Sequence, residues 1–402
     1  MTQDPAIGVS RPREHGRQAV YVLTDYLPSS GGTSTAARAA AKELVERGWT
    51  MHVLTRRLSR KWPQSETIEG VRIHRVGLPG YSKVAKLADL LASWWWLLRM
   101  RRRLTWVQTF MDPDYAVAAA VAGLRRRTIV RWATRGDPDR FLRQKALGWI
   151  RLLLLRPCKH VALSPAMAEE LRACGIVVDA TIPVPADAAR FRPATLAERS
   201  AARARLGILA HCTIVFTGHL EPRKGIDKLL LAFATIVAEG ASVHLLVVGG
   251  THGHAPDLGP ALHDFVRVHS LADVVTFAGV VSDVAPYLHA SDIFCLPSSR
   301  EGMSNSLVEA MACGLACVVP AAAGGDELLS DGAGIIPTST SPDDLASSLR
   351  PLVEDGELRR RLGNAATARV QAHRLSAVVD QYEVLYNSLP RVRTGVGDGP
   401  ST

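Results

Sequence analysis

Short apolar runs alternate with longer amphipathic stretches along most of the chain. The apolar runs predict buried β-strands, and the stretches between them predict helices, because their apolar positions recur every three or four residues. Such alternation is typical of α/β proteins, in which helices cover both faces of parallel sheets. Strands are predicted at residues 19–23, 50–55, 71–76, 106–110, 128–133, 160–163, 213–217, 243–248, 274–277, 293–296 and 316–319, and helices at 35–47, 165–173 and 375–389.

A proline-rich stretch at residues 181–187 (TIPVPAD) interrupts this pattern, which then starts again. Because proline clusters end regular structure, we place a domain boundary here. The sequence predicts two Rossmann-like βαβ domains, at residues 19–186 and 187–374, that face a central cleft. We expect a helix at 375–390 to pack back on the first domain, and the tails 1–18 and 391–402 to be disordered.

Composition narrows the class of protein. The chain has 402 residues, 47% hydrophobic and 21% charged, which excludes a disordered protein. Its net charge of +10 favours ligands that carry phosphate, or an anionic membrane surface. The N-terminus lacks the apolar core of a signal peptide, and no apolar run is long enough to span a bilayer. Six scattered cysteines fit a reducing compartment, so we expect a cytoplasmic location.

One predicted helix has an unusual composition. Residues 89–103 (DLLASWWWLLRMRRR) place three tryptophans beside a cluster of arginines. Aromatic and cationic side chains together suit the interface of an acidic membrane. A helix that buries its tryptophans and exposes its arginines to solvent explains the same composition. The sequence leaves both interpretations open.

The segment 297–314 (PSSREGMSNSLVEAMACG) carries the strongest chemical pattern. It follows a predicted strand and contains an exposed acid, Glu301, then Gly302, a polar helix start and a second acid, Glu309. Unpaired N–H groups and the positive end of the dipole make a helix N-terminus suitable for phosphate. Glycine lets the backbone approach a ligand, and carboxylates accept hydrogen bonds from sugar hydroxyls.

This segment resembles the Glu-x7-Glu signature of retaining nucleotide-sugar glycosyltransferases of family 4 type, which have the GT-B fold. The alternative is an ordinary strand–turn–helix unit with solvated glutamates. The resemblance implies that Glu301 is catalytic and contacts the transferred sugar, and that Glu309 binds the ribose of the donor. It also implies that the donor lies mainly on the second domain, against residues 302–306, which are Gly302, Met303, Ser304, Asn305 and Ser306.

A second motif opens the predicted second domain. The stretch 218–225 (GHLEPRKG) is similar to the family's G-R-L-x-x-x-K-G, which implies that Gly218, His219 and Lys224 contact the donor diphosphate. Here His219 stands where the family has arginine, and histidine offers fewer donors and only partial charge near neutral pH. Arg223 is a candidate to supply the missing charge. The alternative for Lys224 is a solvated side chain.

The first domain matches the family less closely. Gly32 and Thr33 belong to a glycine loop that, in the family, faces the donor diphosphate, although such residues also make a good helix cap. The family's histidine after a later strand is missing here. Arg135 and Asp137 follow that strand and are candidates for acceptor binding, while Asp137 equally suits a turn or cap.

The resemblance therefore implies a retaining glycosyltransferase of hexosyltransferase type, with a nucleoside-diphosphate sugar as co-substrate and a hydroxyl acceptor. It implies neither a cofactor nor a metal ion, and no nucleic-acid partner. The charge and the tryptophan-rich helix add the hypothesis of a lipid-linked acceptor, in cell-surface polysaccharide or glycolipid synthesis at the inner membrane face. A nucleotide-sugar epimerase or phosphorylase on the same fold, and a catalytically degenerate scaffold, are the alternatives.

Overall fold

The structure, a computed structural model, describes residues 17–28, 31–80, 82–110, 112–134, 136–142, 148–251 and 258–390. Within them the chain forms two sheets, each covered by helices on both faces. The strands of the first sheet are β1 (Gln18–Leu23), β2 (Thr50–Arg56), β3 (Ser65–Ile68), β4 (Val71–Val76), β5 (Leu104–Phe110), β6 (Thr128–Trp132), β7 (Lys159–Ala162) and β8 (Ala180–Thr181). Those of the second are β9 (Cys212–Thr217), β10 (Val243–Val248), β11 (Val275–Gly279), β12 (Ile293–Cys295) and β13 (Ala316–Val318).

The first sheet has the order β3-β4-β2-β1-β5-β6-β7-β8, and the second has the order β11-β10-β9-β12-β13. All neighbouring strands are parallel except β3 and β4. The connecting and covering helices are α1 (Gly32–Glu46), α2 (Lys83–Met100), α3 (Asp114–Ala119), α4 (Asp137–Leu142), α5 (Gly148–Leu155), α6 (Pro165–Ala173), α7 (Leu196–Arg205), α8 (Ile226–Ala238), α9 (Gly259–Val268), α10 (Ala285–His289), α11 (Asn305–Ala312), α12 (Gly325–Leu328), α13 (Pro342–Glu354), α14 (Gly356–Arg369) and α15 (Leu375–Asn387).

The central strands are buried at every position, as in β6, β9 and β10. A parallel strand covered on both faces needs side chains that are apolar without alternation, which explains why the apolar runs predicted these strands within one or two residues. Strands β3 and β8 were not predicted. Strand β3 has the sequence Ser-Glu-Thr-Ile and lies half exposed at the sheet edge, where it pairs antiparallel with β4.

Helix α15 packs on the first sheet. The ring of Tyr386 stacks on that of Trp106 with a centroid distance of 3.9 Å, and its hydroxyl donates to Gln108 Oε1 at 2.7 Å. Glu383 accepts hydrogen bonds from the Trp49 indole at 3.0 Å and from Arg47 at 2.7 Å. The last helix therefore completes the core of the first sheet, although the chain reaches it only after the second.

The chain passes between the sheets twice, and the two crossings lie side by side. The amide of Ala186 donates to the His373 carbonyl at 2.7 Å, and the amide of Leu375 donates to the Ala186 carbonyl at 3.0 Å. The predicted domain limits at 186 and 374 stay predictions, and they fall on these crossings. Among the described residues, no helix has both the length and the apolar character required to cross a membrane.

Candidate active site

A cleft of about 660 Å³ lies between the carboxyl ends of the two sheets. Loops after β1 and β6 form one wall, and loops after β9, β10 and β12 form the other. The carboxyl edge of a parallel sheet is where ligands bind in α/β proteins. Every residue that the sequence predicted for the donor or the reaction lines this cleft: Gly32, Thr33, Gly218, His219, Lys224, Glu301, Gly302, Met303, Ser304, Asn305, Ser306 and Glu309.

Two helices point their N-termini into the cleft from opposite walls. A Cβ added to Gly32, the first residue of α1, would lie 2.4 Å from Nδ2 of Asn305, the first residue of α11. Neither helix has a side-chain cap, whereas Ser82 caps α2 and Ser164 caps α6. Two uncapped N-termini bring unsatisfied N–H groups and two positive dipole ends together, which favours a bound anion.

Glu301 lies at the centre of a charged cluster on the second wall. Its Oε1 accepts hydrogen bonds from Arg223 Nη1 at 2.6 Å and Ser298 Oγ at 2.9 Å, and lies 2.7 Å from Lys224 Nζ. The side chain is only 14% exposed, so the prediction of an exposed acid was wrong. Burial alone would raise the pKa of the Glu301 carboxyl, but Lys224, Arg223 and Ser298 outweigh burial and hold this pKa below its usual value.

Lys224 is placed by a tight turn after β9. Residues 222–224 form a single 3₁₀ turn, and Gly225 follows with a φ of 69°. A Cβ at Gly225 would lie 2.4 Å from the Pro297 carbonyl, so only glycine allows this turn to press against the segment after β12. The turn thereby holds the largely buried Lys224 against Glu301, and the alternative of a solvated lysine is excluded.

His219 lies earlier in the same loop after β9, three residues before the 3₁₀ turn, and is partly exposed. Its Nδ1 is 3.5 Å from Glu221 Oε1, and Arg223 Nη2 is 3.5 Å from Glu221 Oε2. Arg223, which the sequence offered as a substitute for the family's arginine, lines the cleft as well. The loop after β9 thus places a histidine, an arginine and a lysine on one wall of the cleft.

Gly302 is required by a contact between the two halves of the molecule. A Cβ at this position would lie 1.8 Å from the Ala133 carbonyl oxygen, at the end of β6. The sequence attributed this glycine to close approach of a ligand. The structure shows close approach of the opposite wall, so the cleft width depends on glycine here.

Glu309 lies in the second turn of α11 and is partly buried. Burial is the main reason that the pKa of its carboxyl is raised to about 7; the charge of Arg190 opposes this rise, and the charge of Asp283 adds to it. Arg190 also lines the cleft and bonds Asp283 Oδ1 at 2.8 Å. Arg190 was not predicted, because it comes from the connection between the sheets and no local pattern links it to residue 309.

The predicted acceptor residues are not tested by these contacts. Arg135 lies outside the described residues, and Asp137 begins helix α4 with a side chain that is not described. Two neighbours that the sequence did not single out, Arg131 and Thr134, line the cleft at the end of β6. The guanidinium of Arg131 lies 5.2 Å from the centroid of the Phe110 ring.

Comparison with known proteins agrees with this architecture. Residues 201–369 match the family model of the group 1 glycosyl transferases, and residues 31–187 match that of the glycosyl transferase 4-like domain. A D-inositol 3-phosphate glycosyltransferase from Kineococcus radiotolerans is 28% identical, over 85% of this chain and 87% of its own length. A GDP-mannose-dependent monoacylated alpha-(1-6)-phosphatidylinositol monomannoside mannosyltransferase from Corynebacterium glutamicum is 29% identical, over 48% of this chain and 51% of its own.

Solved structures show the same fold. Sucrose-phosphate synthase from Thermosynechococcus elongatus superposes with a TM-score of 0.76 at 22% identity, covering 92% of this chain and 98% of its own. Anabaena HepE in complex with UDP and glucose superposes with a TM-score of 0.75 at 19% identity, covering 92% and 99%. The two family matches together take in most of the chain, and the full-length superpositions confirm the predicted two-domain plan. The chain therefore belongs to the group 1 glycosyltransferases of the GT-B type and is a transferase enzyme.

Proposed function

We propose that the enzyme transfers a hexose from a nucleoside-diphosphate sugar to a hydroxyl acceptor, with retention at the anomeric carbon. The observation that carries this proposal is the convergence of two uncapped helix N-termini, two cations and two carboxylates on one cleft. The N-termini and cations suit a diphosphate, and the carboxylates suit the hydroxyls on either side of it.

The diphosphate would lie between α1 and α11. Residues 304–306 would donate from the second wall, together with Lys224, and Gly32 and Thr33 would donate from the first. Glu301 forms ion pairs with both Lys224 and Arg223. A phosphate competes for both cations, which releases Glu301 to accept hydrogen bonds from the transferred sugar. Negative charge grows on the diphosphate as its bond to the sugar breaks, and these fixed donors stabilise that charge.

Glu309 would bind the ribose of the donor. It follows Glu301 after seven intervening residues and lies just over one helical turn into α11, away from the loop that carries Glu301. No described side chain forms a hydrogen bond with it, so both oxygens stay available to the two ribose hydroxyls. Hydrogen bonds from two hydroxyls stabilise the ionised carboxylate, which offsets the free energy that its burial costs.

Retention needs either two successive displacements or attack from the face that the leaving group occupies. Two displacements require a carboxylate nucleophile on the face opposite the diphosphate. Among the described residues of the cleft, the only carboxylates are Glu301, held by two cations, and Glu309. We therefore favour attack on the same face, in which the acceptor oxygen bonds to the anomeric carbon, the bond to the diphosphate breaks, and the departing phosphate takes the acceptor proton.

For the acceptor, we propose a lipid-linked hydroxyl compound at the inner face of the cell membrane, and a role in cell-surface polysaccharide or glycolipid synthesis. The Corynebacterium relative is named for a phosphatidylinositol mannoside acceptor, and the Kineococcus relative for inositol 3-phosphate. Their names, and the UDP complexes of HepE, make UDP- and GDP-hexoses the first donors to test. The expectation that transfer needs no cofactor or metal ion stays a prediction.

A thermal-shift screen with UDP, GDP, ADP and their hexoses tests the donor site. We expect one nucleotide to raise the unfolding midpoint of the native protein and to lose this effect in Glu309→Ala, but not in the exposed control Glu354→Ala. Release of nucleoside diphosphate from that donor, dependent on Glu301, then tests the chemistry. No shift with any nucleotide would refute the donor assignment, and an unchanged shift in Glu309→Ala would refute the ribose contact.

The other candidate functions differ in what they release. An epimerase would change the sugar without freeing nucleoside diphosphate, a phosphorylase would need inorganic phosphate, and a scaffold would bind no donor. No contact in the described residues specifically favours any of them over transfer.

A further inference from the structure

Helix α2 exposes an apolar stripe along its outer face. Val84, Leu87, Leu91 and Trp95 recur at intervals of three or four residues, and each is more than half exposed. The opposite face is buried against the sheet through Leu97 and neighbouring small or polar residues. Of the three adjacent tryptophans only Trp95 is exposed, so the two interpretations of this helix each describe one of its faces.

The apolar surface continues onto the neighbouring elements. The segment 120–124 packs against both α2 and α5, and it exposes Val121. Helix α5 exposes Trp149, which is 69% accessible, and Leu153, one turn later. We call these seven side chains the apolar patch: Val84, Leu87, Leu91, Trp95, Val121, Trp149 and Leu153. Two exposed tryptophans among aliphatic side chains are uncommon on a surface that faces only water.

Arginines lie at one end of this patch. Six of them are exposed and have no ion-pair partner among the described residues, and we call them the arginine cluster: Arg99, Arg101, Arg102, Arg103, Arg125 and Arg126. Arg127 holds their two turns together by donating to the carbonyls of Arg101 at 2.9 Å and Leu104 at 2.7 Å. The guanidinium of Arg99 lies 5.8 Å from the centroid of the Trp95 ring, which joins the cluster to the patch.

The positive charge of the molecule is concentrated in the first half of the chain. Residues 19–186 contain 27 Lys and Arg against 13 Asp and Glu, a net charge of +14, whereas residues 187–374 contain 16 against 20, a net charge of −4. Between residues 140 and 168 there is no acidic residue. The positive field therefore belongs to the first half, on which the apolar patch lies.

We propose that the apolar patch and the arginine cluster together form a docking surface for an anionic lipid bilayer. Aromatic and aliphatic side chains would enter the headgroup region, while the arginines pair with lipid phosphates and anionic headgroups. A nucleic acid would match the arginines but leave the patch exposed to water, and an apolar protein partner would leave six cations without counter-charges. Only an anionic bilayer satisfies both parts.

The orientation of α2 places this surface beside the cleft. The helix follows β4 and precedes β5, so it crosses from the carboxyl edge of the first sheet, where the cleft opens, to the opposite edge. Val84 and Leu87 in its first turns therefore lie at the cleft end, and the arginine cluster lies at the far end. A bilayer along α2 would run beside the first wall of the cleft. Docking is independent of the donor chemistry proposed above.

Sedimentation with vesicles tests the proposal on the full-length protein. We expect binding to vesicles of phosphatidylcholine with about one third phosphatidylglycerol, weak binding to phosphatidylcholine alone, and weakening with added salt. A charge variant with five substitutions, Arg101→Gln, Arg102→Gln, Arg103→Gln, Arg125→Gln and Arg126→Gln, should lower the apparent affinity more than about tenfold. Each arginine near an anionic surface is worth about fivefold. The matched control removes five exposed arginines from the second half of the molecule: Arg205→Gln, Arg267→Gln, Arg360→Gln, Arg361→Gln and Arg369→Gln.

Tryptophan quenching by brominated lipids separates insertion from adsorption. Native protein should be quenched by anionic brominated vesicles, and a variant with Trp95→Phe and Trp149→Phe should lose most of that quenching while it still binds. A patch variant, Leu91→Gln with Leu153→Gln, should bind less tightly than the exposed-leucine control Leu209→Gln. Unfolding midpoints and nucleotide-induced shifts equal to native would show that every variant is folded.

Two results would overturn the proposal. The first is loss of the charge dependence: the native protein binds neutral and anionic vesicles equally well, or the charge variant binds anionic vesicles as tightly as the native protein does. The other is binding of RNA as tight as that of anionic vesicles, with no quenching by brominated lipid, which would assign the arginines to a soluble polyanion.

Discussion

The raised pKa of Glu309 predicts that this residue destabilises the protein in the absence of donor. A carboxyl whose pKa rises from 4.5 to about 7 on folding pays about 3 kcal/mol for ionisation in the folded state. Below about pH 4.5 both states are protonated and nothing is lost. Between pH 4.5 and 7 the folded state binds the extra proton, so stability falls as pH rises, and above about pH 7 the full cost is present.

Glu309→Gln removes the ionisation and nearly preserves the shape. We expect the variant to match the native protein near pH 4 and to exceed its unfolding free energy by about 1–3 kcal/mol near pH 8, where the native carboxylate is charged. The same change should weaken donor binding about ten- to a hundredfold, because hydrogen bonds from ribose to a charged acceptor are worth about 1.5–3 kcal/mol. A residue kept for stability would not show opposite effects on folding and binding.

The assay is urea unfolding of the donor-free protein at both pH values, followed by calorimetric titration of the nucleotide found in the thermal-shift screen. Glu354→Gln, at an exposed position of α13, is the control for replacing any glutamate. A stability difference between Glu309→Gln and the native protein that does not change with pH would refute the assigned cause. Greater stability without loss of donor affinity would refute the ribose contact alone.

Three further perturbations probe the cleft. Gly302→Ala should drive the two halves apart, because its Cβ would lie 1.8 Å from the Ala133 carbonyl oxygen. We expect a larger radius of gyration in X-ray scattering and at least about tenfold slower transfer. An unchanged radius of gyration would contradict the contact. Glu301→Gln should leave Lys224 without its carboxylate, so nucleoside diphosphate should bind about fivefold more tightly while turnover falls. Weaker binding of the nucleoside diphosphate, measured by calorimetry, would show that the Glu301–Lys224 ion pair does not compete with phosphate. His219→Arg should place a permanent positive charge on the second wall of the cleft and tighten nucleotide binding about fivefold near pH 8. An unchanged dissociation constant at that pH would mean that the side chain at position 219 does not reach the ligand.

Part of the site was predictable because its signals are local. A strand buried on both faces must be a continuous apolar run, and a helix that follows it at once must start at the carboxyl edge of the sheet. Residues 293–314 therefore specified strand, turn and helix α11 in advance, and with them the place of Glu309. The resemblance of its motifs to a known family then supplied the fold and the transferase activity, which the comparisons confirm.

Other features were not visible because they depend on pairs of residues far apart in the chain. Glu301 looked exposed, and it became a partly buried acceptor only because the turn after β9 brings Lys224 and Arg223 against it. Strand β3 has no apolar run of its own and is a strand only because β4 pairs with it. Arg190 reaches the neighbourhood of Glu309 through the connection between the sheets.

The sequence by itself determined the elements, their order and the residue types that chemistry needs, since hydrophobic period and turn composition act over a few residues. Tertiary structure decided which of those residues meet. It set the N-terminus of α1 against that of α11, the Gly302 backbone against Ala133, and Trp95 outward rather than inward. These outcomes follow from the packing of two sheets and from the approach of their carboxyl edges, and no period along a single chain segment encodes the distance between two such edges.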